Sequence, residues 1–381
     1  MLGHLQKGNQ GFNHKTGLSL TIAILAVVGG ILAFQSCTRP PEYRQNLMDT
    51  VKRPHQETHR GRTVDNKQKD KGTQKEAASD EDFLADYPHL IRVRLYEGSK
   101  FPVVHYQKNF LAFDRSDEQL FSEKGGILRY NRVHNHSFVQ VFSNGSFRWQ
   151  GQRYQGRLFV LHQKKWQLIL ELPIEEYLKG VLPKEMVPAW PMEALKAQAI
   201  AARTYALFHI RHAGPDKPYH VDNSTRYQVF GGLGKRHERT NQAVEQTQGQ
   251  IALHGERLFP AFFHSSTGGI TERASAVWQG PKQGFSQVKK VPYGRSAPHY
   301  KWRYRVSSIK LMRQLKQKYQ LERLKSFFVV ERTESGRVAR VRLQGMSHGK
   351  VVSQQISGND FRLAVGAGRL KSTLFHIHSE K

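Results

Sequence analysis

Between residues 87 and 170 the chain alternates apolar and polar positions over short stretches, which is the pattern of β-strands. Gly125-Gly126 and Asn144-Gly145 separate some of these stretches, as the turns of hairpins do. The pattern therefore predicts antiparallel strands. They are rich in Val, Ile, Phe and Tyr and cover IRVRLYE (91–97), FPVVHYQ (101–107), ILRYNRV (127–133), SFVQVFS (137–143), 147–149, 154–160 and 166–170.

A helical pattern replaces the alternation from residue 171 to residue 211. Pro173 suits the first position of a helix, and Gly180 and Pro183 limit the length of that helix. Pro188 and Pro191 bracket a rigid turn, and Pro191 opens a second helix. An apolar stripe about 80° wide predicts that the second helix packs against a core. The stripe consists of Leu195, Ala199, Ala202, Ala206 and Ile210.

Together these patterns predict an α+β fold, in which an antiparallel strand-rich scaffold supports a short helical core that carries the active-site cleft. We expect a β-rich part at 87–150 and a catalytic domain at 151–381. The N-terminal part divides into a basic region at 1–17, a signal or anchor segment at 18–36 and a polar, disordered linker at 37–86.

The N-terminal segment carries an export signal. Residues 18–34 contain no charge, and Lys7 and Lys15 precede them. Cys37 follows a stretch that loosely resembles a bacterial lipobox. Two alternatives therefore stay open, a lipid anchor on Cys37 and an uncleaved membrane anchor. Either one, or secretion after cleavage, places the protein outside the cytoplasm, in the periplasm or cell envelope.

The charge of the chain is strongly positive, at +28 from 59 Lys+Arg and 31 Asp+Glu. Residues 87–381 carry +26 of this charge, so it belongs to the folded part and indicates a polyanionic partner. The export segment and the lack of a recognition motif argue against nucleic acid. Because Cys37 is the only cysteine, a disulfide framework and a thiolate-rich zinc site are excluded.

Several motifs after residue 150 resemble the SpoIID/LytB family, which comprises sporulation stage II protein D and amidase enhancers. The resemblance spans about 150–377. It is carried by LPIEEYLKGV (172–181), PKEM (183–186), WP (190–191), EALKAQA (193–199), AARTYA (201–206), QVFGG (228–232), TQG (247–249), HSSTGGIT (264–271), ISG (356–358) and LKSTLF (370–375). One departure is Phe230, where the family pattern leads us to expect Tyr.

This resemblance implies lytic cleavage of peptidoglycan glycan strands, with Glu185 as the catalytic glutamate and Arg203 as a functional arginine. Glu185 lies in a turn of the chain between Pro183 and Pro188. This turn would present the Glu185 carboxyl at a cleft floor, beside apolar residues that raise its pKa. From the residues alone, a solvent-exposed helix-end glutamate and an Arg203 salt bridge to Glu193 or Glu176 remain alternatives. The resemblance also implies substrate-binding positions, namely Gln198, Gln228, Ser265, Ser266, Gly268, Gly269 and Thr271.

No cofactor and no metal are expected, since the cysteines that hold zinc in some family members are missing near the QVFGG motif. The expected partners are glycan strands, a membrane through the N-terminal segment and an N-acetylmuramoyl-L-alanine amidase. Two functions stay open: a lytic transglycosylase acting on strands stripped of stem peptides, and a wall-binding amidase enhancer that does not cut.

Overall fold

The computed structural model describes residues 79–214, 217–224, 226–277, 286–297 and 299–378, together with the strand Ala33–Gln35. The described residues divide into two compact units. One is Ala33–Ala261, and the other is the described part of Phe262–Lys381.

The first unit contains the long run of strands and the two central helices. Its strands are β1 (Ala33–Gln35), β2 (Leu90–Gly98), β3 (Val104–Tyr106), β4 (Phe110–Phe113), β5 (Gln119–Glu123), β6 (Gly126–Leu128), β7 (Phe138–Ser143), β8 (Phe147–Trp149), β9 (Gln152–Tyr154), β10 (Arg157–His162), β11 (Trp166–Pro173), β12 (Val221–Asp222) and β13 (Ile251–Leu253). Its helices are α1 (Asp80–Ala85), α2 (Tyr130–Val133), α3 (Ile174–Glu185), α4 (Met192–Arg211) and α5 (Glu238–Gln246).

A seven-stranded sheet is the scaffold of this unit, in the order β12-β2-β11-β10-β7-β4-β5. Neighbouring strands of this sheet are antiparallel, except for the short parallel pair of β12 with β2. A second sheet has the order β6-β3-β8-β9, and β1 pairs with β13. Strands from both sides of residue 150 share the large sheet, and so the division between the units, at 261/262, does not coincide with the expected division at 150/151.

The alternation of the sequence explains how the large sheet forms its core. Ile91, Val93 and Leu95 are buried on one face of β2, whereas the arginines between them are not. In β11 the register against β2 shifts between Leu168 and Ile169. This bulge allows consecutive apolar residues of β11 to be buried.

The predicted α+β class with antiparallel strands is confirmed, but one predicted strand is wrong beyond Leu128. The stretch ILRYNRV is a strand only as far as β6, after which Tyr130–Val133 forms the helical turn α2. The Arg132 N–H closes this turn by donating to the Arg129 carbonyl at 3.1 Å. Only Val133 of the turn is buried, so the apolar residues there do not form a strand face.

The two central helices follow directly from β11. Helix α3 begins at Ile174, whose N–H donates to the His89 carbonyl at 3.0 Å, and it runs through Pro183 to Glu185. Pro183 limits the length of the helix as predicted, since the helix ends in the same turn, where a proline removes only one hydrogen bond. The predicted core stripe of α4 is confirmed from Leu195 to Ala206, whose members are fully buried.

The second unit has a three-stranded antiparallel sheet in the order β14-β15-β16 and three helices. Its core lies between the sheet and helices α7 and α8, around Leu315, Val341, Leu343 and Phe361. The elements are α6 (Ala274–Val277), α7 (Ser308–Lys318), β14 (Arg323–Arg332), β15 (Val338–Ser347), β16 (Lys350–Ser357) and α8 (Gly358–Val365).

Most of the N-terminal region lies outside the described residues. This holds for 1–32, for Cys37 and for the predicted linker up to residue 78. The end of the predicted signal or anchor segment, Ala33–Gln35, pairs with Ile251–Leu253. Among the described residues, no helix combines the length and the apolar character that a membrane crossing requires.

Candidate active site

Glu185 is the last residue of helix α3, and the chain leaves the helix immediately after it. Met186 is extended, with φ −130° and ψ 143°, so the backbone turns away while the Glu185 side chain stays half-buried. The Val229 backbone N–H donates a hydrogen bond to Glu185 Oε1 at 3.4 Å. The predicted position at a helix end is thus confirmed, and one carboxylate oxygen has a fixed donor.

The surroundings of Glu185 favour its protonated form. Burial raises the pKa of Glu185, and the hydrogen bond from Val229 opposes this rise. Among the glutamates of α3 and α4, Glu185 is the one without a cationic partner in the described part of the chain. The others form ion pairs, Glu175 with Arg203, Glu176 with Arg236 and Lys179, and Glu193 with Lys196.

A buried hydrogen-bond chain fixes the segment that carries Val229. The Tyr177 hydroxyl donates to Gln228 Oε1 at 3.2 Å, and Gln228 Nε2 donates to the Ala202 carbonyl at 3.3 Å. Gln228 is only 1% exposed. It does not line an open cleft, as the motif suggested, because both ends of its amide already bind α3 and α4. Gln228 instead holds its neighbour Val229 in place beside Glu185.

The pKa of Tyr177 reflects the ionisable groups around this hydrogen-bond chain. Burial is the main cause of its strongly raised pKa, followed by Tyr205, Glu185 and Asp222. In the sequence Tyr177 is one residue of the LPIEEYLKGV motif, and its hydrogen bond to Gln228 was not predicted. Asp222 is a second carboxylate in this region, but Arg94 pairs with it at 3.3 Å.

Phe230, the residue that departs from the expected tyrosine, lies in a buried aromatic cluster. Its ring centroid is 5.3 Å from that of Tyr177 and 5.9 Å from that of Tyr154. A Cβ at Gly180 would lie 2.4 Å from the Phe230 ring, and the Gly231 N–H donates to the Gly180 carbonyl at 2.9 Å. Gly180 is therefore needed for this close approach, and Phe230 contributes packing.

Arg203 does not lie at an open surface but forms a buried salt bridge, which is the alternative that the sequence left open. Its exposure is 0%, and its guanidinium binds both carboxylate oxygens of Glu175 at 2.7 and 2.8 Å. The remaining donors go to the carbonyls of Val244 (3.2 Å) and Gln250 (3.0 Å) and to the Thr247 hydroxyl (3.4 Å). Because every N–H group has a partner, Arg203 has none left for a sugar.

The partner of Arg203 is also not the predicted one. The sequence indicated Glu193 or Glu176, but Glu175 takes this place and also accepts a hydrogen bond from the Tyr87 hydroxyl. In the sequence Glu175 stands beside Glu176 in the LPIEEYLKGV motif, and no local pattern marks it as the partner of Arg203. The bidentate pair joins the start of α3 to the middle of α4 and thereby fixes both helices.

Gln198 keeps a free donor. It is 8% exposed, and its Nε2 has no hydrogen-bond partner among the described residues. At 100° per residue it shares a face of α4 with Ala202 and Tyr205. Ala202 is the residue whose carbonyl binds Gln228. Gln198 is thus a predicted binding residue of the first unit, and its buried amide nitrogen has no partner among the described residues.

The predicted loop residues from Ser265 to Thr271 belong to the second unit. Ser265 and Ser266 are exposed, but the Gly268 and Gly269 N–H groups donate within the loop, to Ser266 Oγ at 3.3 Å and Thr267 Oγ1 at 3.1 Å. The backbone N–H groups of Gly268 and Gly269 are therefore already engaged within the loop. Thr271 is buried, and its hydroxyl donates to the Gln287 carbonyl at 2.6 Å, so it does not line a cleft.

Arg337 organises this loop and was missed by the sequence analysis. It is 9% exposed and donates to the carbonyls of Thr267 at 2.6 Å, Ile270 at 2.8 Å and Thr271 at 3.3 Å. Burial lowers the pKa of Arg337. No local pattern distinguishes this arginine at a strand edge, because its partners lie 66 to 70 residues away.

Within the described residues, no group of three or more His, Cys, Asp or Glu side chains is placed to hold a metal ion. The absence of a metal in the functional protein stays a prediction.

Comparison with known proteins finds matches to the part of the chain that contains this site. Residues 162–254 match the family model described as stage II sporulation protein. An uncharacterized protein of Brachyspira hyodysenteriae (strain ATCC 49526 / WA1) is 42% identical over 153 residues, which are 40% of this chain and 42% of that protein. These matches and the two that follow confirm the resemblance predicted from the motifs.

Two relatives from Bacillus subtilis (strain 168) carry functional names. Its amidase enhancer is 44% identical over 101 residues, covering 26% of this chain and 13% of the enhancer. Its stage II sporulation protein D is 31% identical over 149 residues, covering 35% of this chain and 43% of that protein. The chain thus spans less than half the length of these relatives. The family match includes Glu185, Gln198, Arg203 and Gln228 but ends before the Ser265–Thr271 loop.

Proposed function

Because residues 162–254 carry a domain of the stage II sporulation protein family, we propose that this protein is an exported lytic transglycosylase of peptidoglycan. It cleaves glycan strands between N-acetylmuramic acid and N-acetylglucosamine and leaves 1,6-anhydro-muramyl ends. Its substrate is a strand from which the stem peptides have been removed. The cell-wall role rests on the relatives' names, and the reaction rests on the geometry of Glu185.

The reaction needs one carboxyl group that first donates and then accepts a proton. Protonated Glu185 gives its proton to the glycosidic oxygen, and the bond from that oxygen to C1 of the muramyl residue breaks. The resulting carboxylate then takes the proton of the C6 hydroxyl, whose oxygen bonds to C1 and closes the anhydro ring. Glu185 ends protonated and ready for the next cycle, and no water is consumed.

The observation that carries this proposal is the half-buried Glu185 carboxyl, which has no cationic partner in the described chain and whose pKa burial raises. An acid at the start of a cycle must hold its proton, and an adjacent Lys or Arg would remove it. Asp222 does not supply a second free carboxylate, because Arg94 holds it in an ion pair. A single-carboxylate reaction therefore fits better than hydrolysis by an acid–base pair.

The residues around Glu185 position it. The Val229 N–H binds Oε1 and leaves Oε2 to face the substrate, and the chain Tyr177–Gln228–Ala202 holds Val229. The Arg203–Glu175 pair fixes the two helices that support this arrangement. Gln198, on the same helix as Ala202, stays a predicted substrate-binding residue, and its buried amide nitrogen has no partner among the described residues.

Product analysis tests the proposal. Purified glycan strands with and without stem peptides are incubated with the protein, and the products are identified by mass spectrometry. We expect anhydro-muramyl ends, formed faster from stripped strands. Reducing ends formed by uptake of water would show a hydrolase, and intact strands would contradict an enzyme.

A second candidate is an amidase enhancer that binds the wall without cutting it. The observation in its favour is that Arg203, expected at the substrate, is buried in an ion pair, so the site offers one free carboxyl and little else. The named relative covers only 26% of this chain. Adding an N-acetylmuramoyl-L-alanine amidase discriminates between the two, because an enhancer accelerates peptide release equally well when Glu185 is replaced by Gln.

A further inference from the structure

A cavity of about 520 Å³ opens in the second unit, along the stretch of chain that follows the short 3-10 turn Pro292–Gly294. Its lining consists of Arg295, Ala297, His299, Tyr300 and Lys301. Two of these side chains are permanently cationic and none is acidic. The volume lies within the range of about 300–1,000 Å³ that is typical of small-ligand sites and is more than a bare inorganic anion needs.

Two successive turns shape the chain around this cavity. The Ala297 N–H donates to the Gly294 carbonyl at 3.0 Å, and the Tyr300 N–H donates to the Ala297 carbonyl at 3.1 Å. Between them His299 has a φ of +68°, in the left-handed region that residues other than glycine rarely adopt. A residue held in this region is strained, and such residues cluster at binding sites.

One wall of the cavity rests on the Ser265–Thr271 loop. Gly269 has a φ of +99°, and a Cβ there would lie 2.6 Å from the Tyr300 hydroxyl oxygen. Arg337 holds the same loop through the carbonyls of Thr267 and Ile270. The Tyr300 side chain therefore lines the cavity with its hydroxyl close to Gly269, on a loop whose backbone Arg337 holds.

The stretch of sequence that contains the cavity residues carries only positive charges. Residues 273–321 contain twelve Lys and Arg and no Asp or Glu. Within the described part of the chain, neither Arg295 nor Lys301 has a carboxylate partner. An anion that enters the cavity therefore competes with no carboxylate of this segment.

We propose that this cavity binds the carboxylate of an acidic glycan, with Arg295 and Lys301 facing the anion. The glycan that fits is a strand whose muramyl lactyl groups have become free carboxylates through removal of the stem peptides. This assignment rests on the proposed function and adds a substrate-selecting site in the second unit. The volume of about 520 Å³ is more than a bare anion needs and therefore favours an acidic sugar over a free inorganic anion.

Binding to two kinds of strand tests the proposal. The probes are stripped strands with free lactyl carboxylates and the same strands with these groups converted to neutral methylamides. The full chain carries Glu185→Gln so that the strands stay intact. We expect about tenfold tighter binding of the free-carboxylate strands, since two exposed charges contribute modestly. Adding Arg295→Gln and Lys301→Gln should bring this ratio close to one.

A matched control separates the cavity from the bulk charge. Arg313→Gln with Lys316→Gln removes two exposed cations from helix α7 of the same unit and should leave the ratio within about twofold. Equal losses in both double variants, or an unchanged ratio in the cavity variant, overturn the proposal. Thermal unfolding confirms that the variants compared are folded.

Two further results identify the occupant and keep the two proposals apart. If poly(glycerol phosphate) competes with the strands as well as free-carboxylate strands do, and loses this ability in the cavity variant, the occupant is a phosphodiester and the glycan assignment is overturned. Failure of the proposed function shows as an absence of anhydro ends with the unmodified protein. The binding ratio is measured without cleavage and so does not depend on that result.

Discussion

Removing the Arg203 guanidinium should unfold the first unit at a much lower temperature, because Arg203 supports the structure. The change Arg203→Leu leaves the Glu175 carboxylate, whose side chain is 13% exposed, without its cation. It also leaves the carbonyls of Val244 and Gln250 without their donor. Breaking a buried ion pair from one side costs about 3–5 kcal/mol. In a unit of this size that loss lowers the melting temperature by about 6–20 °C.

Thermal and urea unfolding, followed by circular dichroism, measure this loss. The matched control is Lys196→Leu, which breaks the exposed pair with Glu193 on the same helix and should cost less than about 1 kcal/mol. Combining Arg203→Leu with Glu175→Leu should recover part of the stability, because no unpaired charge is then buried.

Cleavage measured well below the melting temperature completes this test. If Arg203→Leu keeps the stability of the unmodified protein within about 1 kcal/mol and nevertheless abolishes cleavage, the arginine contacts substrate and its buried position is not the working one.

Three further predictions follow from the same contacts. Cleavage requires protonated Glu185, and burial raises the pKa of this residue. The value of kcat/KM should therefore fall with rising pH, through a midpoint above the ordinary glutamate pKa of 4.5. A midpoint at or below that value contradicts the mechanism. Gly180→Ala should lower the free energy of unfolding by about 1–3 kcal/mol, because the new methyl group meets the Phe230 ring. The control Gly214→Ala places its methyl group in open space and should not lower it. Equal effects of the two variants in urea unfolding would refute this packing. In cell fractionation the protein should stay with the membrane, loss of retention in Cys37→Ser would assign the anchor to a lipid, and recovery of the unmodified protein in the cytosol would refute export.

The scaffold was predictable because its signals are local. Alternation at Ile91, Val93 and Leu95 and the 3.6-residue stripe from Leu195 to Ala206 identify a strand and a helix without tertiary information. The strand predicted for Tyr130–Val133 is wrong because apolar and β-branched residues also occur in short helical turns. Only packing decides between a strand and such a turn.

The environments of the candidate site residues were less predictable, because long-range contacts determine them. The position of Glu185 at a helix end follows from the flanking prolines. Whether Arg203, Gln228 and Thr271 face a ligand or the interior depends on partners 16 to 47 residues away. Polar residues within motifs look alike in sequence whether they bind a substrate or hold together the structure around it.

The central claim is that Glu185 is the acid and base of a lytic cleavage, and the products formed by Glu185→Gln test it most directly. The amide keeps the size of the side chain and its contact with the Val229 N–H group, but it cannot shuttle a proton. Glu193→Gln on helix α4 is the matched control. Mass spectrometry of stripped glycan strands should show anhydro-muramyl ends with the unmodified protein and the control, and none with folded Glu185→Gln. Anhydro ends formed by Glu185→Gln within a few-fold of the unmodified rate would contradict the account.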